Sequence, residues 1–330
     1  MKKALKLTGK ILLIAISSVL ALVVLFLAVL NVAKFAIYSD YYSIKDDVCK
    51  NPGLSDGFVC QGICAYEDAE KIFVSGYMKD HSPSRIYVTD ENDESYYVSV
   101  YYGSGKEFTG HAGGVAVTGN YVYIASGDNI YAIPVSSLLE ASDGDKVSIT
   151  KIIPVNNEAS FVYADDKYIY VGEFHDGNAY VTDHPYDTPD GKYFAIVSRY
   201  TVESIEGYSK AEGNVPTPDK VYSIRNKVQG ICFTPDGQVV LSTSYGVADT
   251  VYYIYNEGDA IDSGKTLDGA PVYYLNSPQK EIHGPAMGED LDYYNGKILT
   301  LTESASNKYI FGKFFFANKI VTLDINDLDK

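Results

Sequence analysis

The sequence contains no tryptophan and is short of basic residues: 27 Lys and Arg stand against 43 Asp and Glu, for a formal charge of −16 and a pI near 4.7. A surface that binds nucleic acid needs a basic patch to contact phosphates, and this composition does not supply one. The charge therefore excludes nucleic acid as an expected partner. It is typical of a well-solvated domain outside the cell.

Cysteine is also scarce, and the motifs of several enzyme classes are missing. The four cysteines form neither a CxxC pair nor the Cys/His spacing of a zinc site. Cys49 and Cys60 could form a disulfide in an oxidising compartment, whereas Cys64 and Cys232 occupy equivalent repeat positions and are expected in the core. We predict structural roles for all four. No Gly-x-Ser-x-Gly elbow and no Gly-rich phosphate loop occurs.

One long apolar run stands near the N-terminus. Residues 11–33 carry no charge and are long enough to cross a hydrocarbon core about 30 Å thick as a helix. The alternative, a cleaved signal peptide, usually has an apolar core of only about 7 to 15 residues. The sequence therefore predicts a single-pass anchor in the cell membrane. By the positive-inside rule the N-terminus is cytoplasmic and the rest extracellular, because four lysines precede the run, namely Lys2, Lys3, Lys6 and Lys10.

Tyrosine is unusually frequent, with 31 Tyr against 13 Phe. Tyr is favoured in strands and can keep its hydroxyl in water while its ring packs, so a β-rich protein with half-exposed sheet faces explains most of the excess. A Tyr-lined binding mouth is the alternative explanation.

A hairpin pattern recurs through the exported region. In its clearest form, at residues 228–246, two apolar strands flank a Thr-Pro-Asp-Gly turn. The pattern returns at intervals of roughly 45 to 70 residues, and each interval has room for about four strands, which indicates the blades of a β-propeller. The aligned starts are Gly62, Gly114, Phe161, Gly230 and Asp290.

Five blades are counted, and a sixth within residues 175–219 is an open alternative. The fifth unit lacks its outermost strand, and the segment 38–44 has enough strand-forming residues to supply it. We expect that segment to pair with residues 319–325, which would close the ring. Other outer strands are expected at 146–153 in the second blade and 270–275 in the fourth, with a loop at 311–316 in the fifth. The chain is thus divided into a basic tail at 1–10, a membrane helix at 11–33, a linker with closing strand at 34–56 and an all-β propeller at 57–330.

The repeat forms "GGVAVTGNYVYIAS" at residues 113–126 and "GICFTPDGQVVLST" at residues 230–243 resemble those of the NHL-repeat, strictosidine-synthase-like and gluconolactonase-like propellers. The resemblance covers residues 62–325 and lies in the repeated strand pattern, so it is specific for the architecture and not for the chemistry. The gluconolactonase-like enzymes imply a channel metal held by acidic and amide side chains, with a carboxylate as base. The chain lacks the Asn-rich set of such sites.

The start of each innermost strand should face one mouth of the channel, so polar residues at these positions are the candidate site. Glu158, Glu289 and Asp290 offer oxygen donors suited to Ca²⁺, and Glu303 could join them. His111 and His283 are the candidate general bases. The predicted binding residues are Gln61, His111, Glu158, Gln229 and Glu289.

Three functions remain open at this point. The first is a membrane-anchored extracellular propeller that binds a surface ligand or another protein through its channel mouth or Tyr-bearing loops. The second is a calcium-dependent hydrolase of the lactonase type. The third is a structural propeller in which the polar residues of the channel only face water.

Overall fold

The computed structural model describes residues 2–210, 215–309 and 317–329, and these residues form a five-bladed β-propeller. Each blade contains four antiparallel strands, and the first strand of each blade packs against the first strands of its neighbours around the central channel. The predicted fold class and count of five are confirmed. The innermost strands of blades 1 to 5 are Phe58–Tyr66, Val115–Thr118, Phe161–Ala164, Val228–Phe233 and Gly288–Tyr294.

The middle strands of each blade follow the predicted hairpins. In blade 4 the turn between the first two strands ends at Gly237, whose φ of 87° lies in the left-handed region that glycine tolerates. The second strands are Lys71–Met78, Tyr121–Ser126, Tyr168–Gly172, Gln238–Thr243 and Lys297–Thr302. The third strands are Arg85–Thr89, Asn129–Pro134, Ala195–Thr201, Thr250–Asn256 and Lys319–Leu323.

The outermost strands correct two predictions. The segment 146–153 is not one strand: Lys146–Ile149 pairs in parallel with blade 1, and Lys151–Pro154 alone belongs to blade 2. The segment 270–275 does not complete blade 4, because Ala270–Tyr274 pairs in parallel with the outer strand of blade 3. Alternating apolar residues predict a strand but not the sheet edge that it joins. The outermost strands of blades 1 to 5 are Ser95–Tyr102, Lys151–Pro154, Lys220–Ile224, Lys280–Gly284 and Lys45–Lys50.

The ring closes through an N-terminal strand, but not the predicted one. Lys45–Lys50 pairs antiparallel with Lys319–Leu323, whereas the segment 38–44 is largely the helix Ser39–Ile44. Tyr38, Tyr41 and Ile44 are all buried, and a spacing of three residues matches one face of a helix. Helical periodicity therefore overrides the strand propensity of the tyrosines.

No sixth blade is found in the described part of residues 175–219. That interval contains the hairpin Tyr186–Thr188 and Gly191–Tyr193, a blade 3 strand and the helix Val202–Glu206. The predicted loop at 311–316 lies outside the described residues. The remaining elements are the strand Ile261–Leu267 beside blade 3, the helix Val135–Leu139 and the 3₁₀ turns Glu67–Ala69, Glu257–Asp259 and Asp327–Asp329.

A helix at Lys2–Ile37 precedes the propeller. Its segment Lys6–Ile37 is long and apolar enough to cross a membrane, and its most apolar stretch is not buried against the rest of the chain. Large apolar side chains along it are exposed, for example Leu13 and Leu22 at 65% each. Such a surface is unfavourable in water and suits a hydrocarbon environment.

Candidate functional site

The starts of the five innermost strands meet at one end of the channel, where they line a cavity of about 410 Å³. We call it the mouth cavity. All five innermost strands run in the same direction along the channel, so their first residues face the same end. The mouth cavity brings together all five predicted binding residues, Gln61, His111, Glu158, Gln229 and Glu289.

Glycine in the repeat lets the innermost strands touch one another. A Cβ atom on Gly114 would lie 2.4 Å from the backbone nitrogen of Val162, and one on Gly230 would lie 2.7 Å from the Cα of Asp290. Both distances are shorter than real Cβ contacts allow, so any larger residue would push neighbouring blades apart. The glycines of the repeat are therefore needed for packing and carry no chemistry.

Asp290 occupies the equivalent position in blade 5 and does not line the mouth cavity. Its carboxylate accepts hydrogen bonds from the backbone N–H groups of Ile63 at 3.3 Å, Val115 at 3.4 Å and Leu291 at 3.0 Å. Burial raises its pKa well above the usual value, and these backbone donors oppose the shift. Asp290 thus ties blades 1, 2 and 5 together, and it lies apart from the other two predicted metal ligands, Glu158 and Glu289, which line the mouth cavity.

Two buried carboxyls stand side by side in the mouth cavity. Glu289 is 3% exposed and Glu303 is 9% exposed. Burial, followed by the charge of Glu303, raises the pKa of Glu289 well above its usual value. Burial also raises the pKa of Glu303 to about 7. Because burial disfavours the charged forms and two neighbouring carboxylates repel each other, the pair retains a proton near neutral pH.

The carboxyl of Glu303 is held in a row of hydrogen bonds. Gln61 donates through Nε2 to Glu303 Oε2 at 2.9 Å and to the carbonyl oxygen of Cys60 at 2.9 Å. The Gln61 Oε1 atom lies 2.5 Å from His111 Nε2, and the histidine must donate because an amide oxygen only accepts. Although solvent reaches His111 at the mouth, surrounding protein and the nearby Lys308 charge lower its pKa, which favours a neutral ring.

The carboxyl of Glu289 has no such partner. Within the described ranges, no donor lies at hydrogen-bond distance from it, although the side chain is almost fully buried and lines the mouth cavity. Its oxygens are not sealed from the mouth cavity, so they are available to a group that enters it.

Aromatic rings and one lysine surround the opening. The Lys308 ammonium donates to the Tyr77 hydroxyl and lies 4.7 Å from the centre of the Tyr77 ring and 4.9 Å from that of Tyr309. Across the mouth, Phe174 packs against Tyr180 and Tyr245 with ring centroids 5.4 and 6.1 Å apart. The sequence offered a Tyr-lined mouth as one alternative but did not identify these rings. Tyr77, Phe174 and Tyr245 stand at or just after the ends of second strands, which return to the same mouth, and that position is the signal that could have found them.

The other two predicted binding residues come from blades 3 and 4: Glu158 precedes the strand Phe161–Ala164, and Gln229 lies on the strand Val228–Phe233. Glu158 is half-buried, and burial followed by the Glu173 charge raises its pKa. Gln229 donates weakly to the Ser244 hydroxyl, at 3.4 Å. In the part of the chain that the structure describes, no group of three or more His, Cys, Asp or Glu residues is arranged to hold a metal. The predicted calcium set is therefore not assembled there.

The structure also gives the positions of His283 and of the four cysteines. His283 lies on the outermost strand of blade 4 with its side chain 54% exposed, and its Nδ1 is 3.6 Å from Asp249. It does not line the mouth cavity, whereas His111 does. All four cysteines are free and buried, so Cys49 and Cys60 are not bridged.

The chain is similar to known structures at low sequence identity. No family model and no curated protein matches the chain. Among solved structures it is similar to a PQQ-bound aldose sugar dehydrogenase from Streptomyces coelicolor, at 15% identity over 78% of this chain and 77% of that chain with a TM-score of 0.43. It is also similar to a glutaminyl cyclase from Myxococcus xanthus, at 7% identity over 84% and 95% of the chains with a TM-score of 0.46. Likenesses at this level carry no information on the ligand or the reaction of this chain.

Proposed function

We propose that the protein is a membrane-anchored β-propeller that binds a small polar ligand in the mouth cavity, with the Glu289 carboxyl as a principal contact. The observation that carries the proposal is the missing partner of that carboxyl. The Glu289 oxygens open to the cavity, and a hydrogen bond donated to them by a ligand would contribute roughly 0.5 to 3 kcal/mol. The cavity volume of about 410 Å³ is within the range of small-molecule sites.

The chemistry of the lining restricts the ligand. Three carboxyl groups, those of Glu158, Glu289 and Glu303, face the cavity against one lysine, Lys308. This balance disfavours anions and favours ligands that present hydroxyl or ammonium groups. The aromatic rings at the opening would pack against an apolar face of such a ligand or against its cationic group.

The anchor completes the proposal. The exposed apolar helix within Lys2–Ile37 would cross the membrane, with the lysine-rich start on the cytoplasmic side and the propeller outside. A propeller held in this way would bind its ligand at the cell surface. On these grounds we assign the protein to the surface binding modules.

The test is ligand-induced thermal stabilisation of the full-length protein in detergent. Small amines, neutral sugars, sugar lactones and CaCl₂ are screened separately, and a compound at 100 times its dissociation constant should add about 2.7 kcal/mol. We expect stabilisation by an amine or a sugar in the wild type and in the surface control Glu140→Gln, and its loss in Glu289→Gln.

Each of the other possible results of this test leads to a different conclusion about the cavity. A Glu289→Gln variant that responds like the wild type would remove Glu289 from the site. Stabilisation by CaCl₂ together with turnover of a lactone would support the hydrolase in place of the binding module. A flat response to every compound would leave a structural propeller.

A further inference from the structure

An apolar lip stands beside the mouth cavity. Two loops, one after the second strand of blade 3 and one after that of blade 4, expose four large side chains there. Tyr180 and Tyr245 also line the cavity, so the lip and the opening are continuous. The lip consists of Tyr180 at 45%, Val181 at 65%, Tyr245 at 43% and Val247 at 62% exposure.

The apolar helix ends at the same loop of blade 4. Tyr38 is the first residue after the helix, and its hydroxyl donates to Asp249 Oδ1 at 2.7 Å. Exposure falls from 62% at Ile37 to 4% at Tyr38, so the chain passes from the apolar helix into the propeller core without a linker. The junction is therefore fixed against the mouth side of the propeller.

The rest of the entry segment runs away from the mouth. The carbonyl oxygen of Ile44 accepts a hydrogen bond from the backbone N–H of Asp324, which follows the third strand of blade 5. That strand, Lys319–Leu323, runs from the mouth side to the opposite end, so Ile44 lies at the opposite end as well. The helix Ser39–Ile44 thus starts near the mouth and finishes at the far end of the propeller.

Carboxyl groups line both ends of the channel: Glu158, Glu289 and Glu303 at the mouth, and a second cavity lined by acidic residues at the opposite end. At the lip, Lys227 places its ammonium 5.4 Å from the centre of the Tyr245 ring. The apolar lip and the position of the helix junction, rather than charge, therefore distinguish the mouth end. The acidic residues of the far cavity are Glu67, Asp68, Asp165, Asp166 and Asp292.

We propose that the lip rests on the surface of the membrane that the apolar helix spans, so that the mouth cavity opens at the lipid interface. The inference rests on the proposed anchoring. Tyrosine is enriched at membrane interfaces, where its ring and its hydroxyl meet different environments, and the lip offers two tyrosines with a valine beside each. The partner of this surface is the lipid bilayer itself, and the ligand of the cavity reaches Glu289 from the interface.

The test measures membrane proximity in the full-length protein reconstituted into vesicles. All four native cysteines are buried, so single exposed cysteines can be labelled selectively with a fluorophore. Val247→Cys reports on the lip, Asp166→Cys on the opposite end and Val29→Cys on the helix. We expect a lipid bearing a headgroup nitroxide to quench the label at position 247 several-fold more than the label at position 166.

The label at position 29 separates the two proposals. Quenching there by an acyl-chain nitroxide shows that the helix lies in the bilayer. If position 29 is quenched and positions 247 and 166 respond equally, the anchor stands and the lip does not touch the membrane. If position 29 is not quenched, the anchoring fails, and with it the inference. Val181→Cys provides a second position on the lip and should behave as Val247→Cys does.

Discussion

At the scale of single residues, the Glu289 carboxyl links stability to pH. Its pKa is raised in the folded protein, so the folded state keeps a proton that the unfolded chain releases near pH 4.5. The free energy of unfolding therefore falls as the pH rises from about 4.5 to the folded pKa, by about 1.4 kcal/mol for each pH unit between these two values. Glu289→Gln removes this loss. We expect the variant to be more stable than the wild type above pH 7 and equal to it near pH 4.5.

Urea unfolding at a series of pH values measures the effect. Glu140→Gln is the matched control, since it makes the same chemical change at an exposed position outside the mouth cavity. Its stability should follow the wild type throughout. A difference between Glu289→Gln and the wild type that stays constant with pH would show that the carboxyl titrates alike in both states.

A second prediction at this scale concerns the touching strands. Alanine at position 230 would place its Cβ 2.6 Å from the Asp290 carboxylate and 2.7 Å from the Asp290 Cα, so backbone must move. We expect Gly230→Ala to lower the free energy of unfolding by about 1 to 3 kcal/mol, as overpacking does. The control is Gly103→Ala, where the nearest atom is 3.4 Å away and the change should be within about 1 kcal/mol. Equal losses of unfolding free energy in Gly230→Ala and Gly103→Ala would contradict the close approach of the innermost strands of blades 4 and 5.

Much of the mouth cavity could be predicted because its polar residues stand at fixed points of a repeat. Gln61, Gln229 and Glu289 each directly precede an aligned position of the repeat, and repetition alone brings such positions together. The aromatic residues Tyr180 and Tyr309 could not be found this way, since they lie in loops that differ from blade to blade. The sequence did not indicate that the Asp290 carboxylate turns toward backbone donors, because a strand position does not give the direction of a side chain.

At the scale of elements, the short helix Ser39–Ile44 joins the entry segment to blades 4 and 5. Tyr41 is 2% exposed and stacks on Tyr252 with ring centroids 6.2 Å apart. We expect Tyr41→Ala to cost about 3 to 5 kcal/mol, as other large aromatic truncations in cores do. Asp40→Ala should cost little because Asp40 is exposed. A strand would instead bury alternate residues, so a larger loss at Asp40 than at Tyr41 in chemical unfolding would contradict the helix.

The inner and outer strands of the blades show which parts of the fold the sequence pattern can predict. The first two strands of each blade are joined by short turns, and their pairing follows from the turn residues alone. Outer strands arrive after longer connections, so the sequence of 270–275 indicates a strand without saying that it joins blade 3. The closing strand Lys45–Lys50 was missed since it is short and charged, features that suit an outer edge and weaken the apolar signal.

At the scale of the whole molecule, both ends of the propeller meet in blade 5, so one strand pair closes the ring. Lys50 and Lys319 stand directly opposite each other in that pair. Replacing both by cysteine would remove the exposed Lys50–Asp93 ion pair, a small loss, and allow a disulfide that closes a loop around nearly the whole propeller. The chain-entropy model gives a stabilisation of about 5 kcal/mol for so long a loop.

We expect the oxidised Lys50→Cys/Lys319→Cys protein to melt at least about 5 °C above its reduced form, because separation of this strand pair would open the ring early in unfolding. Thermal scans with and without reductant measure the difference, and the single variant Lys50→Cys should show none. A disulfide that forms, as judged by loss of free thiol, but leaves Tm unchanged would mean that the ring first opens elsewhere. The contacts between innermost strands would then limit unfolding, and Gly230→Ala should lower Tm equally in the oxidised and reduced forms.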